Sequence, residues 1–437
     1  MSNSEPIRST GGETPEPPHY VQALLGILPL ILGIQLLAWL VILPAALGGH
    51  ADFRQLYAAG YMVRTGHAKE LYDYNAQLQF QNQAVSPAAV PLPFIRPACY
   101  ALLFVPFSLM SYRSAYFAFL CLSLILLWVS YWILRPWLRN LARAWSWLPP
   151  LIFVSFFPVT AALTQGQDSI LLLVLLAAAF AYLNRRHDLG AGVLTGLGLF
   201  KFQIVIPIAL LFLVWRRWRF SMGFAVSAVV AAAVSVRLVG LEQSERYAHS
   251  LISMNTGSSS RANDLSYPVP VQYMANLHGL VVGVSGGHFP AFWVAVVAIA
   301  ISAAVWLLVA RMTPEHAQPT EAFPTAIASS VLVSYYLFPH DLSVLLIPMV
   351  VLLDRQAKPG FVHERSHHVA GWIAFSVFVA TLSYPFIPQY RYLISLPVCG
   401  LLFVLVWHGR RSKVNQNASG PRRPFGDARP LRAVEAP

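Results

Sequence analysis

The sequence predicts an all-α polytopic membrane protein, and three observations carry that prediction. Of 437 residues, 57% are hydrophobic and only 11% are charged, where a soluble domain carries about 25% charged residues. The apolar residues fall in long runs separated by short polar turns, as in chains that cross a bilayer repeatedly. The turns also alternate in character: nearly every second one carries an arginine pair or triplet, and those between carry isolated polar groups. The net charge of +12 follows from the positive-inside bias of short membrane loops plus a basic tail. No basic patch interleaves with aromatics, so nucleic-acid binding is set aside. Cys99, Cys121 and Cys399 lie in apolar stretches, where free cysteine behaves as a small hydrophobe, and imply no disulfide framework.

Taken in order, residues 1–19 are rich in Pro, Ser, Glu and Gly and are expected to form a disordered cytoplasmic tail. Val21 to Leu47 is the first span, too long for the core of a cleaved leader and so read as retained. Residues 48–97 form the first outer loop, where the spacing of Leu71, Tyr72, Gln77, Leu78 and Phe80 predicts short interfacial helices. Pro97 to Met110 is apolar but short and is interrupted by Pro106, which predicts a re-entrant or interfacial segment. Ala115 to Leu134 crosses and ends at Arg135, Arg139 and Arg143. Trp147 to Leu163 returns to Gln165-Gly166-Gln167-Asp168, and Ile170 to Leu183 ends at Arg185-Arg186.

Gly190 to Phe200 and Ile204 to Trp215 flank Lys201, which predicts a hairpin of tilted helices with its tip facing outward. Gly192 and Gly196 make the Gly-x-x-x-Gly spacing of closely packed helices. Phe220 to Leu241 leads to a second outer loop, residues 242–288, whose Asn255 to Arg261 stretch has a flexible composition. Further spans are read at Phe289–Val309, Phe323–Phe338, Leu342–Leu353, Val369–Phe386 and Tyr392–Trp407. Residues 409–437 are read as a basic, disordered cytoplasmic tail. The sum is about twelve spans in one transmembrane domain over residues 20–408, with both termini cytoplasmic.

One set of turns collects Asp52, Gln167, Asp168, Lys201, Gln203, His340, Asp341 and Arg391. Ionisable groups near a membrane surface are costly and mark function; taken singly, each also reads as a cap or a snorkelling side chain. Together, an outward carboxylate, a cation and an imidazole fit sugar transfer from a lipid-phosphate carrier to a hydroxyl. Asp52 removes the acceptor proton, Lys201 stabilises the departing phosphate, and His340 hydrogen-bonds phosphate or sugar. Arg96 and Gln167 are further candidates for the phosphate; Tyr57, Tyr61, Gln203 and Asp341 are candidates for the substrate, the first-loop aromatics offering stacking surfaces for sugar rings. Nucleotide sugars are scarce outside the cytoplasm, so the expected donor is lipid-bound. Lys and Arg can balance the phosphate, so no metal and no cofactor is expected.

The order Asp-x-x-x-x-Tyr-x-Ala-Gly (Asp52 to Gly60), Gly66, Leu71-Tyr72, Pro97 to Tyr112, Gln165-Gly166-Gln167, Ala191-Gly192 to Lys201, Asn276 to Leu280 and Pro339-His340-Asp341 resembles glycosyltransferase family 87 over about residues 50–355. That resemblance implies a GT-C membrane fold. It also implies inverting transfer at the outer face of the plasma (inner) membrane, by enzymes that use polyprenol-phosphate-mannose. Its catalytic base maps to Asp52, its late histidine to His340, and the lysine after its glycine-rich helix to Lys201. Family members carry Tyr-Pro-Pro where this chain has Arg96-Pro97-Ala98, so the donor sugar and the glycolipid or glycan acceptor stay open.

His363-Glu364-Arg365-Ser366-His367 spells the zinc-protease pattern, but it sits in a short loop without an evident third ligand. It reads as a solvated loop, and the sequon Asn417-Ala418-Ser419 reads as inert on the tail. Two rival classes remain at this point: a transporter or flippase for lipid-linked sugars, and a non-catalytic scaffold for envelope assembly. A transporter would show internal repeats and midplane charges; no convincing repeat is present, and the polar groups gather at one face. A scaffold would tolerate replacement of Asp52.

Overall fold

The computed structural model describes residues 18–256, 271, 274–315, 317–358 and 365–418. Most of both expected tails, most of the Asn255–Arg261 stretch and the start of the His363–His367 spelling lie outside the described residues. Among the described residues, all regular structure is helical.

Helix α1 (His19–Ala45) ends in a π turn in which Gly49 takes φ +91°. That conformation is open to glycine and lets the chain swing into α2 (Phe53–Arg64). Helix α3 (Tyr74–Ala84) is capped by Asp73, whose carboxylate accepts from the Ala76 N–H at 2.9 Å. Helix α3 takes in Gln77, Leu78 and Phe80 of the spacing that predicted a helix, whereas α2 was not expected. Every residue of α2 from Phe53 to Gly60 is buried, so α2 is enclosed by protein rather than lying along a surface. The cause is aromatic packing: the Phe53 ring stacks on Phe119 at 5.1 Å and meets Phe104, Phe107, Tyr112 and Tyr116 within 6.5 Å. The loop thus has its own core, seated on the start of α4 (Tyr112–Leu134). The Pro97–Met110 segment forms short 3-10 turns with Leu102, Leu103, Leu109 and Met110 exposed, and does not cross.

The chain continues through α5 (Arg139–Ala144), α6 (Leu148–Ser155), α7 (Phe157–Gln165), α8 (Ser169–Asn184), α9 (Asp188–Leu197) and α10 (Phe202–Val214). It then runs through α11 (Trp218–Val239), α12 (Leu241–Thr256), α13 (Leu277–Ser285) and α14 (Ala291–Met312). The last helices are α15 (Pro319–Val333), α16 (Leu346–Gln356), α17 (Arg365–Leu382) and α18 (Ser395–Ala418). Among the described residues, five helical stretches are long and apolar enough to cross a bilayer, built on α1, α4, α11, α14 and α18. The number is up to seven if the bent pairs α6–α7 and α9–α10 each make one span. Several runs read as crossings are instead short helices: α8 has 16 residues, α15 has 15 and α16 has 11. A free-standing span needs about twenty. α15 and α16 are buried almost throughout, so neighbouring helices rather than lipid cover them.

The α9–α10 pair turns back on itself at Lys201. Arg217, beyond the end of α10, returns to within 3.9 Å of Asp188 at the start of α9. The Gly-x-x-x-Gly spacing has a direct structural reason. A Cβ on Gly192 would stand 2.0 Å from the Phe220 carbonyl oxygen, and one on Gly196 2.6 Å from Ser227 Cβ, so α9 packs backbone to backbone on α11.

The helices run between two unlike ends. At one, Asp354 accepts from the backbone N–H groups of Asn140 and Leu141 at 2.7 and 2.9 Å. There too Arg355 pairs with Glu321 at 3.1 Å, and Arg217 donates to the Ala317 carbonyl at 2.9 Å. The arginine-bearing turns meet at this end. The isolated polar turns meet at the other.

Candidate active site

Four connections build the polar end. The α1–α2 turn places Asp52 at the N-cap of α2, yet its side chain makes no capping hydrogen bond. Between α7 and α8, Gly166 takes φ +58°, and a Cβ there would lie 2.7 Å from Phe53 Cβ. Glycine therefore lets the Gln165–Asp168 turn press against the start of α2. The α9–α10 tip brings Lys201, and the 3-10 turn Pro339–Leu345 brings His340 and Asp341. Arg96 arrives from the loop, its carbonyl held by the Tyr72 hydroxyl at 2.7 Å.

These side chains form one network. The Arg96 guanidinium grips Asp168 with Nε at 2.5 Å and Nη2 at 3.2 Å, reaches the Gln167 Oε1 at 3.0 Å, and reaches the Gln55 Oε1 at 3.3 Å. Lys201 Nζ lies 2.8 Å from Asp341, 3.4 Å from Asp168 and 3.4 Å from the Gln167 Oε1. Asp341 also accepts from Ser169 Oγ at 3.2 Å and from the Phe338 N–H at 3.1 Å. Arg96, Asp168, Lys201 and Asp341 are all buried. Charges so enclosed are stable only when paired and hydrogen-bonded, and here two cations and two carboxylates balance. Asp168 lies in the turn between α7 and α8. Burial alone would raise its pKa, but Arg96 and Lys201 overcome that and hold it down at about 2.

Asp52 stands apart from that balance. Its Oδ2 accepts from Gln167 Nε2 at 2.8 Å, and it makes no ion pair among the described residues. Asp52, Gln55, Arg96, Gln167, Lys201, Gln203, Tyr336, Phe338 and His340 are among the residues lining a cavity of about 130 Å³. Neither Asp168 nor Asp341 lines it. His340 stacks on Phe338 at 5.6 Å, and its buried Nε2, 3.5 Å from Asp341 Oδ1, has no hydrogen-bond partner among the described residues. Burial pushes its imidazole down to about 4 despite the pull of Asp341, so it is neutral at pH 7.

Of the expected site residues, the structure gathers Asp52, Arg96, Gln167, Lys201, Gln203, His340 and Asp341. Tyr57 and Tyr61 lie elsewhere: Tyr57 donates to the Met110 carbonyl at 2.8 Å within the loop core, and Tyr61 packs on Phe80 and Arg64. Their order in the sequence resembled a stacking platform, but the helical phase of α2 turns them away from the cavity. Arg391 is occupied with the Tyr384 carbonyl at 2.8 Å and the Tyr384 ring. Asp168 is the group whose importance the sequence understated, because nothing in its spacing shows that two cations converge on it. Gln55, Tyr336 and Phe338 carried no signal in sequence beyond proximity to a motif.

A model of glycosyltransferase family 87 matches residues 94–339. The match is narrower than the likeness read from motifs; it takes in Arg96, Gln167, Asp168, Lys201 and Gln203 and leaves Asp52, His340 and Asp341 outside. No curated protein and no solved structure gave a match. The matched stretch covers more than half of the 437 residues, and the chain belongs to glycosyltransferase family 87, a family of membrane glycosyltransferases.

Proposed function

We propose that the protein transfers a sugar from a polyprenyl-phosphate donor to a glycolipid or glycan acceptor, with Asp52 as general base. The observation that supports this most is that Asp52 is the cavity-lining carboxylate left without an ion pair among the described residues. In the reaction, the acceptor oxygen bonds to the sugar C1 as the C1–O bond to phosphate breaks. The acceptor proton passes to Asp52, and the electron pair leaves with the polyprenyl phosphate. A single displacement of this kind inverts the anomeric centre.

The network indicates how the phosphate is met. A lysine ammonium has three N–H donors, and Lys201 faces three oxygens already. Its role is therefore to hold Gln167, Asp168 and Asp341 in place unless one contact is released. A guanidinium has five N–H groups, and the contacts of Arg96 leave one on Nη1 for the phosphate. Gln203 and His340 supply further donors, and Tyr336 and Phe338 take over the sugar-stacking role expected of Tyr57 and Tyr61.

The arginine-rich end, by the positive-inside bias, faces the cytoplasm. The site then opens to the exterior of a plasma (inner) membrane, with both termini inside. Taking the short apolar helices as passes too, the proposal keeps the expected total of about twelve, where five to seven helical stretches among the described residues are long and apolar enough to cross by themselves. The test is transfer by purified protein from polyprenyl-phosphate-mannose to a membrane glycolipid extract. Asp52→Asn is expected to lose at least about 100-fold in rate with its elution profile unchanged. Retained transfer in that variant would remove Asp52 as the base.

A further inference from the structure

A second cavity, of about 500 Å³, lies at the other end of α8 and is lined by Tyr182, Arg185, Arg186, His187, Asp188 and Arg219, among others. Since α8 has 16 residues, the two sites are separated by about 24 Å of helix. The side chains of Arg185, Arg186 and Arg219 make no hydrogen bond or ion pair among the described residues. The carboxylate in the lining, Asp188, is shared with Arg217 outside it. Three guanidinium groups thus line one hollow whose carboxylate, Asp188, is shared with a fourth, which leaves the hollow with an excess of positive charge. In the lining, Tyr182 and Leu189 are 42% and 50% exposed, and Trp218, beside Arg219 in sequence, is 57% exposed. Aromatic and aliphatic side chains beside arginines at a helix end are the surroundings of a lipid head group.

We propose that this cavity seats the phosphate of an anionic phospholipid, held by Arg185, Arg186 and Arg219, with the acyl chains against Tyr182 and Leu189. Guanidinium forks match phosphate oxygens in charge and geometry, and basic hollows between membrane helices suit such head groups. The exposed apolar rim favours the lipid over a free anion, which would leave those side chains without a partner. The site is independent of the sugar-transfer reading, because it shares no residue with the Asp52 cavity.

The test uses delipidated full-length protein in neutral detergent, titrated separately with phosphatidylglycerol, phosphatidylcholine and inorganic phosphate, with adducts followed by native mass spectrometry. Phosphatidylglycerol is expected to bind at least about tenfold more tightly than phosphatidylcholine. R185Q/R186Q/R219Q is expected to abolish that preference, and R185K/R186K/R219K to keep much of it. Equal phosphatidylglycerol binding by wild type and the glutamine variant would overturn the proposal. So would competition by inorganic phosphate at the lipid's own concentration, which would mark a free-anion site. If the glutamine variant fails to fold, R185Q, R186Q and R219Q are titrated singly, and an unchanged phosphatidylglycerol preference in all three overturns the proposal.

Discussion

The side-chain amide of Gln167 faces two ways: its Nε2 donates to Asp52 Oδ2 at 2.8 Å, while its Oε1 accepts from Arg96 Nη2 at 3.0 Å. An inverted amide would set its NH2 against a guanidinium and its oxygen against a carboxylate. The cations therefore fix which end of Gln167 Asp52 meets, and so the direction in which Asp52 points. Gln167→Leu is expected to lower turnover about 10- to 100-fold with little change in donor KM. Gln167→Glu is expected to be worse, since it sets a second carboxylate beside Asp52. Steady-state transfer by the purified variants checks both; wild-type turnover in Gln167→Leu would show that Asp52 needs no such support.

Asp168 holds two buried cations, so its loss is expected to be structural first. Removing one partner from a buried ion network costs about 3–5 kcal/mol. Its carboxyl is held below the ordinary 3.8 at about 2, so its contribution is present above pH 3.8 and is lost as pH falls through 2. At pH 7, Asp168→Asn should show a clearly lower melting temperature in detergent, read by fluorescence-detected size exclusion. A melting curve that matches wild type would mean the network adds no net stability.

In the proposed reaction His340 acts uncharged, as a hydrogen-bonding group rather than a cation. Its imidazole sits at about 4, so the transfer rate should show no inflection near the ordinary histidine value of about 6.5. His340→Gln, which keeps a neutral donor, is expected to retain more activity than His340→Ala. An ionisation near pH 6.5 that disappears in His340→Gln would show that the charged form matters.

Gly192 has backbone, not flexible side chain, against the place a Cβ would take. Gly192→Ala must separate α9 from α11 and is expected to destabilise the protein by about 1–3 kcal/mol. Because α9 leads to Lys201, the same change should lower transfer in the fraction that folds. Gly190→Ala is expected to be milder, since the atoms its new Cβ meets belong to the Tyr182 ring. Melting temperatures of the two variants, measured side by side, check the order.

Much of this was legible in the chain itself. The alternation of arginine turns with isolated polar turns put Asp52, Gln167, Lys201 and His340 in one set, and those four residues line one cavity. The glycine spacing before Lys201 announced close packing, because few other reasons put two glycines four apart in an apolar run. Span lengths were less legible. Hydropathy does not separate a helix in lipid from one wrapped by protein, and α15 is apolar for the second reason. Tyr57 and Tyr61 misled because they flank the motif in sequence, while the phase of α2 turns them into the loop core. Pairing partners were hidden altogether: Arg96 and Asp168 are 72 residues apart, and no local pattern joins them.

The cancellation of Arg96 and Lys201 by Asp168 and Asp341 bears on timing. A pocket that needed its ligand's phosphate to neutralise spare cations would be strained when empty and would have to reorganise at each turnover. In the proposed reading the two cations are balanced beforehand by Asp168 and Asp341, Asp52 is the charge left over, and the dipoles around it are already aimed. The effort of bringing four ions out of water is therefore met once, when the chain folds, and each incoming molecule encounters a surface that is already set.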